Sequence, residues 1–151
     1  MLNKNNFLKT LLAVTLLVLS LNFANAQTGT LNICSGTDDN VYALNVYTTA
    51  TTTTPLYFQL QFETPYQGEA KTQTFIQWET YSVDDKGDEN PIDQMVLTTE
   101  SGYRRYATDQ PYYFTKPGKY VVYAIDYYKR ATLEHRGYKE YLGKASITIT
   151  N

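Results

Sequence analysis

Few residues in this chain have the chemistry of a catalyst. His135 is the only histidine and Cys34 the only cysteine. A Ser-His-Asp site would have no other base to use, and no nucleophile-elbow pattern surrounds any serine. Zinc takes three or four soft or imidazole ligands, and this pair supplies two. His135, between Glu134 and Arg136, reads as an exposed loop or strand residue. Cys34 beside Ile33 reads as a small buried hydrophobe on a strand, the sharper alternative being a cross-link to another chain. A single cysteine cannot close an internal disulfide, so stability must come from packing.

Two groups of side chains have more chemical content. Asp84, Asp85, Asp88, Glu89 and Asp93 crowd hard oxygens into one short stretch around Asn90. Calcium takes 6–8 oxygen ligands from such loops, which makes it the one cofactor the chain suggests. The spacing is not that of an EF-hand, however, and Lys86 sits inside the stretch. The plainer reading is a solvated hairpin turn. A glycosidase needs its carboxylates across a cleft rather than in one turn.

The second group is the tyrosines, of which there are 15. If Tyr120, Val122 and Ala124 point into a core, Val121, Tyr123, Ile125 and Tyr127 line the opposite face of the same strand. Phe75 and Tyr81 likewise point away from Trp78. A sheet that is apolar on both faces needs a cover on each. The candidates are a loop of the same chain, a docked protein, or a sugar ring stacked on tyrosine. Tyr112 and Tyr113 would extend such a platform.

The elements that must position these groups are strands. Leu56, Phe58, Leu60 and Phe62 alternate with mostly polar neighbours, the period-two pattern of a half-buried strand. Tyr42, Leu44 and Val46 share one face of an earlier strand, Ile76 and Trp78 flank Gln77, and Ala145, Ile147 and Ile149 alternate near the end. No stretch beyond residue 26 has helical periodicity. Breaks at Ser35-Gly36, Thr64-Pro65, Lys86-Gly87, Ser101-Gly102, Pro117-Gly118 and Leu142-Gly143 suit antiparallel hairpins. The Thr-rich run Thr48–Thr54 reads as a loop or an ill-defined edge strand. The expected fold is an all-β, two-sheet sandwich of about seven antiparallel strands.

Residues 1–26 have the order of a cleavable export signal: Lys4 and Lys9, an apolar run from Leu11 to Leu21, then Ala24-Asn25-Ala26. The apolar run is shorter than the ~20 residues that span a bilayer, so no transmembrane anchor is expected once the signal is removed. Residues 27–151 then form a single domain beginning at Gln27. It is more acidic than the whole chain's −2, since two lysines and no carboxylate leave with the signal. No basic run marks a nucleic-acid or anionic-lipid surface.

Phe114-Thr115-Lys116-Pro117-Gly118-Lys119-Tyr120-Val121-Val122 resembles the F-x-x-P-G-x-Y-x-V turn and strand of immunoglobulin-like and PKD-like domains in exported proteins of Bacteroidetes-type bacteria. Ile76-Gln77-Trp78 resembles their central, tryptophan-bearing strand. Leu31-Asn32-Ile33-Cys34-Ser35-Gly36-Thr37 resembles the strand and turn that open them. The resemblance spans about residues 31–150. It implies that Tyr120 sits at a sandwich corner, its hydroxyl bonding back to the main chain. Trp78 is followed by Glu79-Thr80-Tyr81-Ser82 in place of the PKD pattern W-x-F-G-D-G, which favours a generic immunoglobulin-like sandwich.

These readings point to an exported protein of the cell surface, periplasm or extracellular space. It acts without catalysis as a binding module for a protein or polysaccharide. The alternatives are a self-associating structural subunit and a small periplasmic inhibitor or immunity-type protein.

Overall fold

The computed structural model describes residues 27–68, 73–127 and 141–151. The signal-like segment and His135 lie outside them. The described chain folds as nine strands: β1 (Thr30–Thr37), β2 (Ala43–Val46), β3 (Thr49–Thr51), β4 (Tyr57–Gln61), β5 (Gln73–Val83), β6 (Glu89–Glu100), β7 (Arg105–Ala107), β8 (Gly118–Asp126) and β9 (Gly143–Thr150). They form a four-stranded sheet, β2-β1-β4-β7, and a five-stranded sheet, β3-β9-β8-β5-β6. β4 pairing with β7, and β6-β5-β8-β9 as neighbours, reproduce the B–E and C′–C–F–G pairings of an immunoglobulin-type sandwich.

Nine strands replace the expected seven for a physical reason. β3 and β7 have three residues each, too few for an alternation to show in sequence. Each is defined by its neighbour: Thr49 and Thr51 lie beside Thr148 and Thr150 in parallel pairing, and Tyr106 lies opposite Leu60. The Thr-rich run therefore supplies an edge strand. Ser35-Gly36 is the one expected break that falls inside a strand, β1.

Alternation explains the core. Leu56, Phe58, Leu60 and Phe62 all point between the sheets, meeting Ile76, Trp78, Tyr120, Val122, Ile147 and Ile149 from the other side. Trp78 and Phe58 lie with ring centroids 6.1 Å apart. The Trp78 indole N–H has no hydrogen-bond partner among the described residues, so packing alone holds the ring. At Gly143 a Cβ would come within 2.9 Å of Leu60 and 3.0 Å of Leu31. The start of β9 thus approaches the opposite sheet closely enough to need glycine.

Cys34 is wholly buried, and its Sγ lies 3.5 Å from the Tyr57 carbonyl oxygen. Burial pushes its thiol pKa up. A buried thiol of raised pKa is a poor nucleophile, which disfavours a cross-link in the folded state. Leu44 and Val46 lie on β2 opposite Gly36 and Cys34, with Tyr42 just before the strand; β2 is an edge strand and all three stand about half exposed.

The expected corner is present. The Tyr120 hydroxyl donates to the Lys116 carbonyl oxygen at 2.8 Å, tying β8 to the turn before it. Lys116 is exposed, so water can replace the lost donor in a phenylalanine variant. Tyr120→Phe should cost about 1 kcal/mol, the net worth of one such bond. Urea unfolding should show this as a lower midpoint at an unchanged m-value.

Candidate functional site

The outer face of the five-stranded sheet is not bare. Val121, Tyr123 and Ile125 of β8 form a second buried cluster, with Tyr81, Val83 and Tyr141 packed against it. Tyr141 stacks on Tyr123 with centroids 4.1 Å apart, and Tyr81 meets the same ring edge-on at 5.6 Å. The Tyr123 hydroxyl donates to the Glu89 carboxylate at 2.7 and 2.8 Å. Lys144 reaches Glu89 at 3.2 Å while its ammonium lies 4.8 Å from the Tyr123 ring centroid. Tyr123, expected to face a ligand, is 4 % exposed and serves as the centre of this cover.

Beside the cluster lies a network of polar groups. Glu79 is only 4 % exposed. It accepts from Gln77 Nε2 at 2.8 Å and from the Tyr81 hydroxyl at 2.6 Å. Gln77 Nε2 also reaches Gln94 Oε1 at 3.1 Å on β6. A buried carboxylate is tolerable only when donors surround it, and alternation along β5 delivers them by placing Gln77, Glu79 and Tyr81 on one face. A cleft of about 380 Å³ opens here, lined by Glu79, Tyr81, Pro91, Ile92, Asp93 and Gln94.

A second cleft of about 280 Å³ lies against the same two residues of β6, lined by Ile92, Asp93, Tyr112, Tyr113, Phe114, Thr115 and Tyr120. Tyr112 bridges to Leu56 by a pair of backbone hydrogen bonds, which fixes the segment that carries it. Its phenol is pushed up to about 12 by burial, with the Asp93 carboxylate beside it as the next cause. Tyr113 is 51 % exposed at the rim.

The expected site residues therefore separate. Tyr81, Asp93, Tyr112 and Tyr113 line the paired clefts, and Glu89 and Tyr123 belong to the cover. Phe75 is half-buried on β5, and Tyr127 follows β8 with its side chain half exposed. The five acidic residues do not gather. Asp84 accepts the backbone N–H groups of Lys86 and Asp88 and so builds the β5–β6 turn, with Gly87 at φ 88°. Glu89 is bound to Tyr123, and Asp93 lies four residues along the strand, about 13 Å away at 3.3 Å per residue. Among the described residues no three His, Cys, Asp or Glu side chains converge as a metal site would require. Sequence reading missed Glu79, Gln77 and Gln94, although Gln77-x-Glu79-x-Tyr81 is a polar row on one face of a core strand, the signal that could have found them.

No protein-family model matches this chain, and no curated protein matches it. Among solved structures it is similar to a crystal structure of an immunoglobulin-like protein from Pseudomonas aeruginosa. The two share 13% identity at a TM-score of 0.43, over 82% of this chain and 94% of that one. No helix among the described residues is long and apolar enough to cross a membrane.

The tyrosine shifts give a pH prediction. Burial is the first cause of raised phenol pKa values at Tyr106, Tyr112, Tyr123 and Tyr141. A group whose folded pKa is raised contributes stability that is complete below its unfolded value, ~10 for tyrosine, and fades as pH climbs through the folded value. Thermal midpoints should therefore fall steeply between about pH 10 and 12, and absorbance at 295 nm should show late-ionising tyrosines until the chain unfolds. A midpoint that stays level across that window would contradict the burial of these rings.

Proposed function

We propose that the protein is an exported, immunoglobulin-like binding module that acts without catalysis and holds a polysaccharide in the two clefts on either side of Ile92–Asp93. The observation that carries this reading is the mixture of groups lining them. Tyr81, Tyr112 and Tyr113 offer ring faces for the C–H side of a sugar, and their hydroxyls can donate or accept. Asp93 and Gln94 offer carboxylate and amide oxygens, which suit the paired hydroxyls of a pyranose.

Shape supports the same class of ligand. The clefts fall near or below the lower end of the ~300–1,000 Å³ range of enclosed small-molecule sites. They share Ile92 and Asp93, so a chain lying over the strand can touch both. A polymer gains affinity by adding weak contacts along its length, whereas a free monosaccharide would meet only one. The signal-like segment 1–26 and the acidic remainder fit a protein that meets its ligand beyond the inner membrane.

Affinity electrophoresis of purified 27–151 through gels containing soluble polysaccharides of differing charge and linkage tests this. At least one neutral or basic glycan should retard the protein and release no new reducing ends on incubation. Tyr113→Ala, which removes an exposed ring without touching the core, should weaken that retardation about 3- to 10-fold, the worth of one stacking contact. Equal mobility in every gel would refute the polysaccharide reading, and release of reducing ends would refute the absence of catalysis.

A further inference from the structure

The longest strand among the described residues lies at an edge. β6 pairs with β5 along one side through eleven residue pairs, from Gln73 opposite Glu100 to Val83 opposite Glu89. No strand among the described residues pairs with its other side. In an antiparallel strand, alternate residues aim their N–H and C=O away from the neighbour already paired. An edge of this length is a template for another strand unless something blocks it.

The blocking devices of β6 are all at its ends. Glu89, Pro91 and Asp93 occupy its first five residues, and the register shifts opposite Thr80 and Tyr81. Beyond them Gln94-Met95-Val96-Leu97-Thr98-Thr99 runs in unbroken register with no charge, proline or glycine. It is rich in the residues that favour strands. Val96 stands 49 % exposed on it. Charge returns only at Glu100, and no basic residue lies anywhere in β6.

This charge pattern selects the occupant. Two copies of β6 aligned antiparallel about the centre of the open segment would set Asp93 against Glu100 at both ends, and like charges directly opposite are destabilising. A strand with cations at both ends would instead meet a carboxylate at each. Seven residues separate Asp93 from Glu100, about 23 Å of extended chain, so the cations must also stand seven apart.

We propose that Gln94–Thr99 of β6 takes up an extended peptide of another protein as a sixth strand, the peptide having a β-branched centre and a basic residue at each end. Main-chain hydrogen bonds provide the affinity, and the terminal charges set register. This site differs from the glycan clefts. The peptide lies along the free edge of residues 94–99, whereas the clefts gather around Ile92–Asp93, and only Asp93 and Gln94 belong to both.

The test is NMR titration of ¹⁵N-labelled 27–151 with the blocked peptide Lys-Thr-Val-Thr-Val-Thr-Val-Lys. Amide shifts should concentrate at residues 93–100 and saturate. Replacing both lysines by glutamate should weaken binding about tenfold, as two end contacts change from attraction to repulsion. A proline at the centre of the peptide should abolish binding with the protein unchanged. Val96→Lys, placing a blocking charge on an exposed position, should do the same while leaving polysaccharide retardation intact. Absence of shifts in β6 at millimolar peptide would overturn the proposal, as would equal binding of the glutamate-ended peptide. The same shifts appearing with protein concentration alone, together with a doubled mass, would assign the edge to a second copy and overturn it too.

Discussion

β8 is buried on both faces, and this requirement shapes the rest of the molecule. From Tyr120 to Asp126 every residue is shielded from water, so each side of the strand needs its own apolar partner. Tyr120, Val122 and Ala124 meet the four-stranded sheet, while Val121, Tyr123 and Ile125 have only the outer face to pack against. Tyr81, Val83 and Tyr141 supply apolar contact there, while Glu89 accepts from the Tyr123 hydroxyl and is itself held by Lys144. The face that composition alone marks as sticky is thereby occupied from within the chain. What stays open among the described residues is the side of the sheet, where β6 ends the ladder.

The same strand explains how a sandwich without a disulfide holds together. In antibody domains the second bridging cysteine follows the corner tyrosine by two residues. Here that position is Val122, fully buried in the core. The two sheets are joined by side-chain packing, with Phe58 against Trp78 at the centre and Phe114 against Tyr120 at 4.4 Å near the corner. Phe62 and Tyr66 stack at 4.6 Å, and the Tyr66 hydroxyl reaches the buried Asp126 carboxylate at 2.6 Å. Aromatic contacts of this kind each add about 0.5–1.5 kcal/mol beyond the area they bury. Their number, in a chain unable to form an internal cross-link, accounts for much of the tyrosine content.

The half-buried strands were legible in sequence because their period is two and their faces differ. Leu56, Phe58, Leu60 and Phe62 needed no structure to be placed together, and Tyr120 announced its corner through the Pro117-Gly118 turn. β7 was hidden and β3 only one of two readings of the Thr-rich run, since three residues show no period and acquire strand geometry only from a neighbour. Tyr123 was misplaced for a related reason. Alternation says which side of a strand a residue faces, not whether distant Tyr141 and Glu89 arrive to cover it. The acidic stretch looked like one site because its carboxylates are adjacent in sequence, but a turn followed by an extended strand carries Asp84 and Asp93 apart. Glu79 was passed over because a single glutamate on a core strand draws notice only once its donors, Gln77 and Tyr81, are seen converging on it.

Cover on the face and openness at the edge form one account: β8 is packed on both faces, whereas β6 with its flanking clefts keeps an unpaired edge among the described residues. Residue-resolved hydrogen exchange of the free protein tests this division most directly. Amides of Val121–Ile125 should exchange only through unfolding, whereas along Gln94–Thr99 slow and fast amides should alternate, every second N–H facing solvent. Uniformly slow exchange along β6, or fast exchange within β8, would contradict it.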